Sequence, residues 1–222
     1  GILVVHINKL WESLKIKPVC ESQRSDHPMW QKTNKKVETR THSKKRGAFW
    51  KALRVGKLNL TIMTNREFFK TCLVNELAAT AAVIDALPNE NLNYRPHPNS
   101  RSAYEIAEHI IAHAFDLNII LTEEKCDECL VMPFKDTKQG SKVLSDYWNK
   151  AIKVVDSMNE DAFENINVEL LVSGNPLLTM PRNAMLWFFL FDVIHHRGQL
   201  STYIRPMGGK NPSVYGWSFD TK

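Results

Sequence analysis

The segment from Thr179 to Met207 constrains this chain more than any other. Trp187-Phe188-Phe189-Leu190-Phe191 makes the first half of a helix there apolar nearly all round, with Pro181 near its first turn. A helix that is apolar on every side must be surrounded by other elements. Into that surface the sequence then places Asp192, His195, His196, Arg197 and Gln199. Burying a carboxylate among aromatics costs several kcal/mol unless it is paired or bound to a metal. This helix therefore needs both packing partners and a polar site beside it.

Three further helical patterns supply the partners. Thr64 or Asn65 can cap a helix with Glu67 in its first turn. Phe68, Cys72, Leu73, Leu77, Ala81, Ile84 and Leu87 then recur at helical spacing until Pro88-Asn89. A second helix starts near Ser100 or Ser102, buries Ala103, Ile106, Ala107, Ile110, Ala114 and Leu117, and fades near Thr122. A third runs from about Ser141 to Met158. Residues 123–140 form a connection containing Cys126 and Cys129, and the β-prone stretch Ile166 to Val172, before Gly174-Asn175-Pro176, reads as a loop or small hairpin crossing the bundle. Gly208-Gly209 ends the last helix, and Asn211 to Lys222 is a tail. The expected fold class is all-α: a four-helix bundle with at least one crossover, because its connections are longer than an up-and-down bundle needs.

Charge divides the 222 residues in two. Residues 1–62 carry 14 Lys and Arg against 4 Asp and Glu, a net of +10, whereas the remaining 15 and 20 leave residues 63–222 at −5. The first segment shows no sustained period of two or 3.6. It reads as an unstructured or non-native extension, with translation starting at Met63; a disordered tail and a basic arm for nucleic acid are the other readings. Residues 63–222 form the expected folded domain. They are net acidic, which argues against nucleic-acid binding there. Four cysteines are too few for a disulfide scaffold at this length. The sequence holds no run of about 18 apolar residues to span a membrane, and its opening apolar run is too short for a signal segment, so a cytoplasmic location is expected. Cys126-x-x-Cys129 has no second pair after residue 62 and has acidic neighbours, so it reads as incidental loop cysteines.

The chemistry concentrates at two places. Asp192 and His196 are four apart, so both side chains reach one point on one helix face. Two ligands at that spacing are a common helical grip on a metal, completed by a third from a neighbouring helix. His109 lies on an otherwise apolar stripe and is the candidate, with His113 as the alternative. By spacing alone, a hydrogen-bonded Asp–His pair and a satisfied core histidine describe these residues better than a metal site does.

The run His195-His196-Arg197-Gly198-Gln199-Leu200, with Tyr203-Ile204-Arg205-Pro206-Met207-Gly208-Gly209 and Asn211-Pro212-Ser213-Val214-Tyr215-Gly216, resembles the C-terminal signature of the DinB-like family. Arg101 to His109 resembles the region around that family's third ligand, and the likeness covers roughly residues 64–219. The superfamily, which includes YfiT-like proteins described as metal-dependent hydrolases, is built on a four-helix bundle. Its pattern H-x-x-x-H-R-G-Q places His196 at the second ligand and Asp192 where a His is commoner. The resemblance thus implies a divalent metal (zinc, nickel, iron or manganese) at His109, Asp192 and His196. It implies transfer or isomerisation with a low-molecular-weight thiol, or hydrolysis, on a small-molecule substrate, and a homodimer. An open site with these ligands can ionise a thiol or water at neutral pH. Two His and a carboxylate also describe the facial triad of iron oxygenases, against which a helical bundle argues, and a non-enzymatic metal-binding or interaction protein is the other reading. Around the ligands, His195 turns about 100° away from His196, and Arg197 is expected to pair with an acidic residue on another helix. Gln199 supports the site or serves structure, Gly198 allows close helix packing, and Tyr203 and Tyr215 are expected in the core.

Overall fold

The computed structural model describes residues 63–221; the basic extension expected over residues 1–62 lies outside them. The elements are α1 (Asn65–Asp85), α2 (Ala103–Thr122), β1 (Lys125–Asp127), α3 (Thr137–Ser157), the short α4 (Glu160–Glu164), β2 (Asn167–Val172), β3 (Asn175–Pro181) and α5 (Arg182–Tyr203). The four long helices pack in a ring: α1 on α3, α3 on α2, α2 on α5, and α5 back on α1. Helices consecutive in the bundle, α1 and α2, therefore sit at opposite corners, as do α3 and α5, and both connections cross the bundle.

Local chemistry sets the helix starts. Thr64 and Glu67 form a reciprocal capping box on α1, and Ser102 and Glu105 form one on α2. Asp136 caps α3 by accepting from the Gln139 N–H at 2.8 Å. That helix thus begins four residues before Ser141, because its first turn, Thr137-Lys138-Gln139-Gly140, has no apolar period to announce it. Trp148, Phe69, Phe163, Phe189, Ile106 and Ile110 are fully buried in the core, each worth about 1.5–3 kcal/mol of transfer free energy. Trp148 satisfies its indole N–H on the Leu73 carbonyl at 2.9 Å.

The all-α expectation needs correcting. A three-stranded sheet, ordered β1-β2-β3, lies on the bundle. β2 and β3 make the hairpin, turning at Ser173 (φ 52) and Gly174 (φ 77), two positive φ values that match strand twist. β1 adds in parallel, Cys126 opposite Leu170. It comes from the α2–α3 connection, and nothing local in three residues announces a pairing across more than forty positions of sequence. The sheet therefore ties the Cys126–Cys129 loop beside α2.

Arg182 fixes the register of α5 on α2. Its buried guanidinium donates to Ile120 O at 2.8 Å, Ala162 O at 2.9 Å and Glu123 O at 3.2 Å, closing the carbonyl end of α2. The two helices run antiparallel from that clamp. His113 lies ten residues before Glu123 and Asp192 ten residues after Arg182, so the two meet. At the far end Gly208 takes φ 90, and a Cβ on Gly209 would come within 2.9 Å of the Ala86 carbonyl, so only glycine lets the tail pass the end of α1. Among the described residues, no helix is long and apolar enough to cross a membrane.

Candidate metal centre

Two helix-turn pairs face each other. α2 presents His109 and His113, and α5 presents Asp192 and His196. Asp192 Oδ2 lies 3.5 Å from His109 Nε2, 3.0 Å from His113 Nε2 and 3.2 Å from His196 Nε2. The imidazole rings of His109 and His196 meet edge to face at 4.8 Å. Donor atoms of His109, Asp192 and His196 all lie within 4.8 Å of one another, so the three residues named from sequence are brought together. Those of His109, His113 and Glu128 form a second such group. Both α2 histidines are buried, whereas the Asp192 side chain is 32% exposed, so the cluster opens to solvent on the α5 side.

The charges reinforce one another. Burial alone would raise the Asp192 pKa, but hydrogen bonds from His109, His113 and His196 hold it well below the usual carboxylate range. Burial pulls His113 down, yet Asp116 and Asp192, one on each ring nitrogen, push it up to about 9. Asp116 is fully buried, and that burial raises its pKa despite His113 and the Cys129 N–H.

Outer partners orient the rings. His113 Nδ1 is 3.3 Å from Asp116 Oδ2, and Asp116 accepts the Cys129 backbone N–H at 3.1 and 3.3 Å. His196 Nδ1 meets Gln199 Oε1 at 2.9 Å, and Gln199 Nε2 meets His195 Nε2 at 2.8 Å. With its amide oxygen toward Nδ1, Gln199 holds the His196 ring so that Nε2 faces Asp192. Burial, then the Asp116 charge, push the Cys126 thiol up to about 12, and burial raises Cys129 as well. Neither is an activated nucleophile; the loop contributes its backbone instead.

The remaining motif residues divide. His195 is exposed. Arg197 turns away from the histidines to pair with Glu76 of α1, Thr80 Oγ1 at 3.2 Å and the Tyr215 hydroxyl. Tyr215 is not a core residue. Its ring is exposed and lies 5.0 Å from the Arg197 guanidinium, while its hydroxyl donates to Glu76 at 2.7–2.8 Å. Gly198 faces open space and allows no close packing, whereas Tyr203 is buried edge-on against Tyr94. Nothing in the sequence singles out Glu128 or Asp116, although His113 and Asp116 at three apart on one helix face is a weak sign.

Two cavities flank the cluster. One of about 520 Å³ is lined by Arg101, Glu105, Glu108, His109 and Glu128. The other, about 340 Å³, is lined by Arg101, Ile106, His196, Gln199 and Tyr203. Ser100 and Arg101 belong to both.

A model described as the DinB family matches residues 63–221. The chain is 25% identical over 137 residues to the uncharacterized protein YjoA of Bacillus subtilis (strain 168), covering 61% of this chain and 82% of YjoA. The crystal structure of the DinB-like YjoA from Bacillus subtilis is similar with a TM-score of 0.52 at 18% identity, over 67% of this chain and 99% of that one. YfiT from Bacillus subtilis, described as a probable metal-dependent hydrolase with an unusual four-helix bundle topology, gives a TM-score of 0.49 at 11% identity, over 64% of this chain and 87% of that one. The YjoA likeness is one of fold, and the family match spans the whole bundle, the hairpin and the Arg197–Tyr215 tail, so this chain belongs to the DinB family.

Proposed function

We propose that this DinB-family protein holds a divalent metal ion at His109, Asp192 and His196 and uses it to transfer a group between a low-molecular-weight thiol and a small electrophile. Two nitrogens and one carboxylate oxygen suit zinc, nickel, iron or manganese. The donor atoms already lie within 4.8 Å of one another with one side open, which fits such an ion. Bound there, the ion would lower the pKa of a thiol or water and supply a nucleophile at neutral pH.

The observation that favours transfer is the pair of cavities. One reaches His109 and the other His196, and they meet at Ser100 and Arg101. A reaction between two small molecules needs two such spaces side by side, so that both reactants are held in attacking geometry. Within them, Gln199 orients His196, Ile106 and Tyr203 offer an apolar wall, and Arg101 lines both, a cation suited to an anionic group on either reactant.

Hydrolysis is the second reading. Glu128 favours it, because its carboxylate lies within 4.8 Å of donor atoms of His109 and His113 and lines the larger cavity, where it could take a proton from water. Metal-loaded protein incubated with small thiols and a chromogenic electrophile separates the readings. Turnover that needs both metal and thiol supports transfer, and metal-dependent turnover without thiol supports hydrolysis. No metal-dependent rate above background contradicts both and leaves a non-enzymatic metal-binding protein. The proposal extends to a homodimer, for which Phe68, Trp187 and Phe191 offer an aromatic strip across α1 and α5; Phe68 and Phe191 are 52% and 60% exposed.

A further inference from the structure

We propose that His113 is a fourth protein ligand, so that the ion sits among His109, His113, His196 and Asp192 rather than on three donors. The inference rests on the metal-binding reading above and concerns the same centre.

Position is the first ground. His113 Nε2 lies 3.0 Å from Asp192 Oδ2, nearer than His196 at 3.2 Å or His109 at 3.5 Å. Ligand bonds of about 2.0–2.1 Å in a tetrahedral site put neighbouring donors about 3.3–3.4 Å apart. Each of the three nitrogens stands 3.0–3.5 Å from the one carboxylate oxygen, the separation that two donors of one ion keep. They come as two pairs one helical turn apart, His109 with His113 and Asp192 with His196, on facing helices.

Orientation is the second. A metal-bound imidazole is held by a partner on its other nitrogen, most often a carboxylate or carbonyl. His113 has such a partner in Asp116, 3.3 Å behind Nδ1. Asp116 is itself fully buried and pinned by the Cys129 N–H, which the sheet holds in place through β1. His196 is backed in the same way by Gln199.

Burial is the third. His113 is 4% exposed and Asp116 0%, beside Phe189 at 4.7 Å. A buried polar pair of this kind contributes little to stability compared with well-packed apolar side chains, so a purely structural role gives it weak justification. Four protein donors also change what the centre can accept: an incoming thiol or water takes a fifth position, reached from the cavity that holds Glu128.

Cobalt(II) loading of the full chain tests the idea. X-ray absorption and visible spectra are recorded for wild type, His113→Asn and Asp116→Asn, with cobalt dissociation constants. The expected result is three imidazoles in wild type and two in His113→Asn, with its affinity lowered beyond the roughly 10–100-fold that loss of an outer partner costs. Asp116→Asn keeps three imidazoles and weakens cobalt within that range. Two imidazoles in wild type, or a His113→Asn spectrum identical to wild type, overturns the proposal and leaves the three-ligand reading standing. A wild type that takes up no cobalt overturns both. The imidazole count is read on wild type itself, so a variant that fails to fold does not shield the proposal.

Discussion

Adjacent residues on α5 enter two polar clusters of opposite character. His196 turns toward His109, His113 and Asp192, where three imidazoles crowd one carboxylate oxygen and one side is open to cavities. Arg197, about 100° further round the helix, enters a closed network with Glu76, Thr80 and the Tyr215 hydroxyl. In the second cluster donors and acceptors match, and the result fastens α1, α5 and the C-terminal tail together. The first has donor atoms converging on one point with room beside them. Burial of polar groups is thus no guide to chemistry by itself; what distinguishes the clusters is whether the protein alone completes them.

The largest effect that would sharpen this contrast is on stability. Arg197→Ala leaves Glu76 without its cation in a site where Arg197 is 3% exposed, and should cost about 3–5 kcal/mol. Urea unfolding measures that loss, and metal stoichiometry of the folded fraction should not change. A loss of metal with little loss of stability would reverse the assignment of the two clusters. Next is Gln199→Ala, expected to weaken metal binding about 10-fold by freeing the His196 ring, with unfolding midpoints close to wild type. Equilibrium dialysis against a competing chelator reads it.

The clusters should also fail at opposite ends of the pH scale. Ligating imidazoles must be free of a proton on the nitrogen that binds, so metal affinity falls as the solution is made more acidic. Tyr215 is raised above its ordinary value of 10.0, by burial and then by the Glu76 carboxylate. A raised pKa contributes stability that is full below the unfolded value and lost as pH rises through the folded one. The tail should therefore loosen only above pH 10, read by Tyr215 absorbance and hydrogen exchange at the tail. The smallest expected effect is Phe191→Glu, which should shift a homodimer toward monomer in sedimentation without altering metal content.

Much of this was legible from sequence where the physics is local. Thr64 with Glu67, and Ser102, announced helix starts, because a capping box is written within four residues. The 3.6-residue period marked the long helices, and the charge at Arg197 asked for an acidic partner on another helix, which Glu76 supplies. What was not legible depends on distant pairing. β1 is three residues whose partners in β2 lie forty-four positions on, and only through it does the Cys129 N–H reach Asp116. Tyr215 looked like a core aromatic; only the folded tail shows its hydroxyl bridging Arg197 and Glu76. His113 is visible in the sequence at four from His109, but its two carboxylate partners come from its own helix and from α5, and the second is set by the Arg182 clamp.

The central claim is that Asp192 and His196 hold a metal with His109. Elemental analysis of protein purified without added metal, for wild type, Asp192→Ala and His196→Ala, tests it most directly. About one equivalent of a single divalent metal is expected in folded wild type, and a much lower content in either variant. Metal retained at the wild-type level in both folded variants would contradict it.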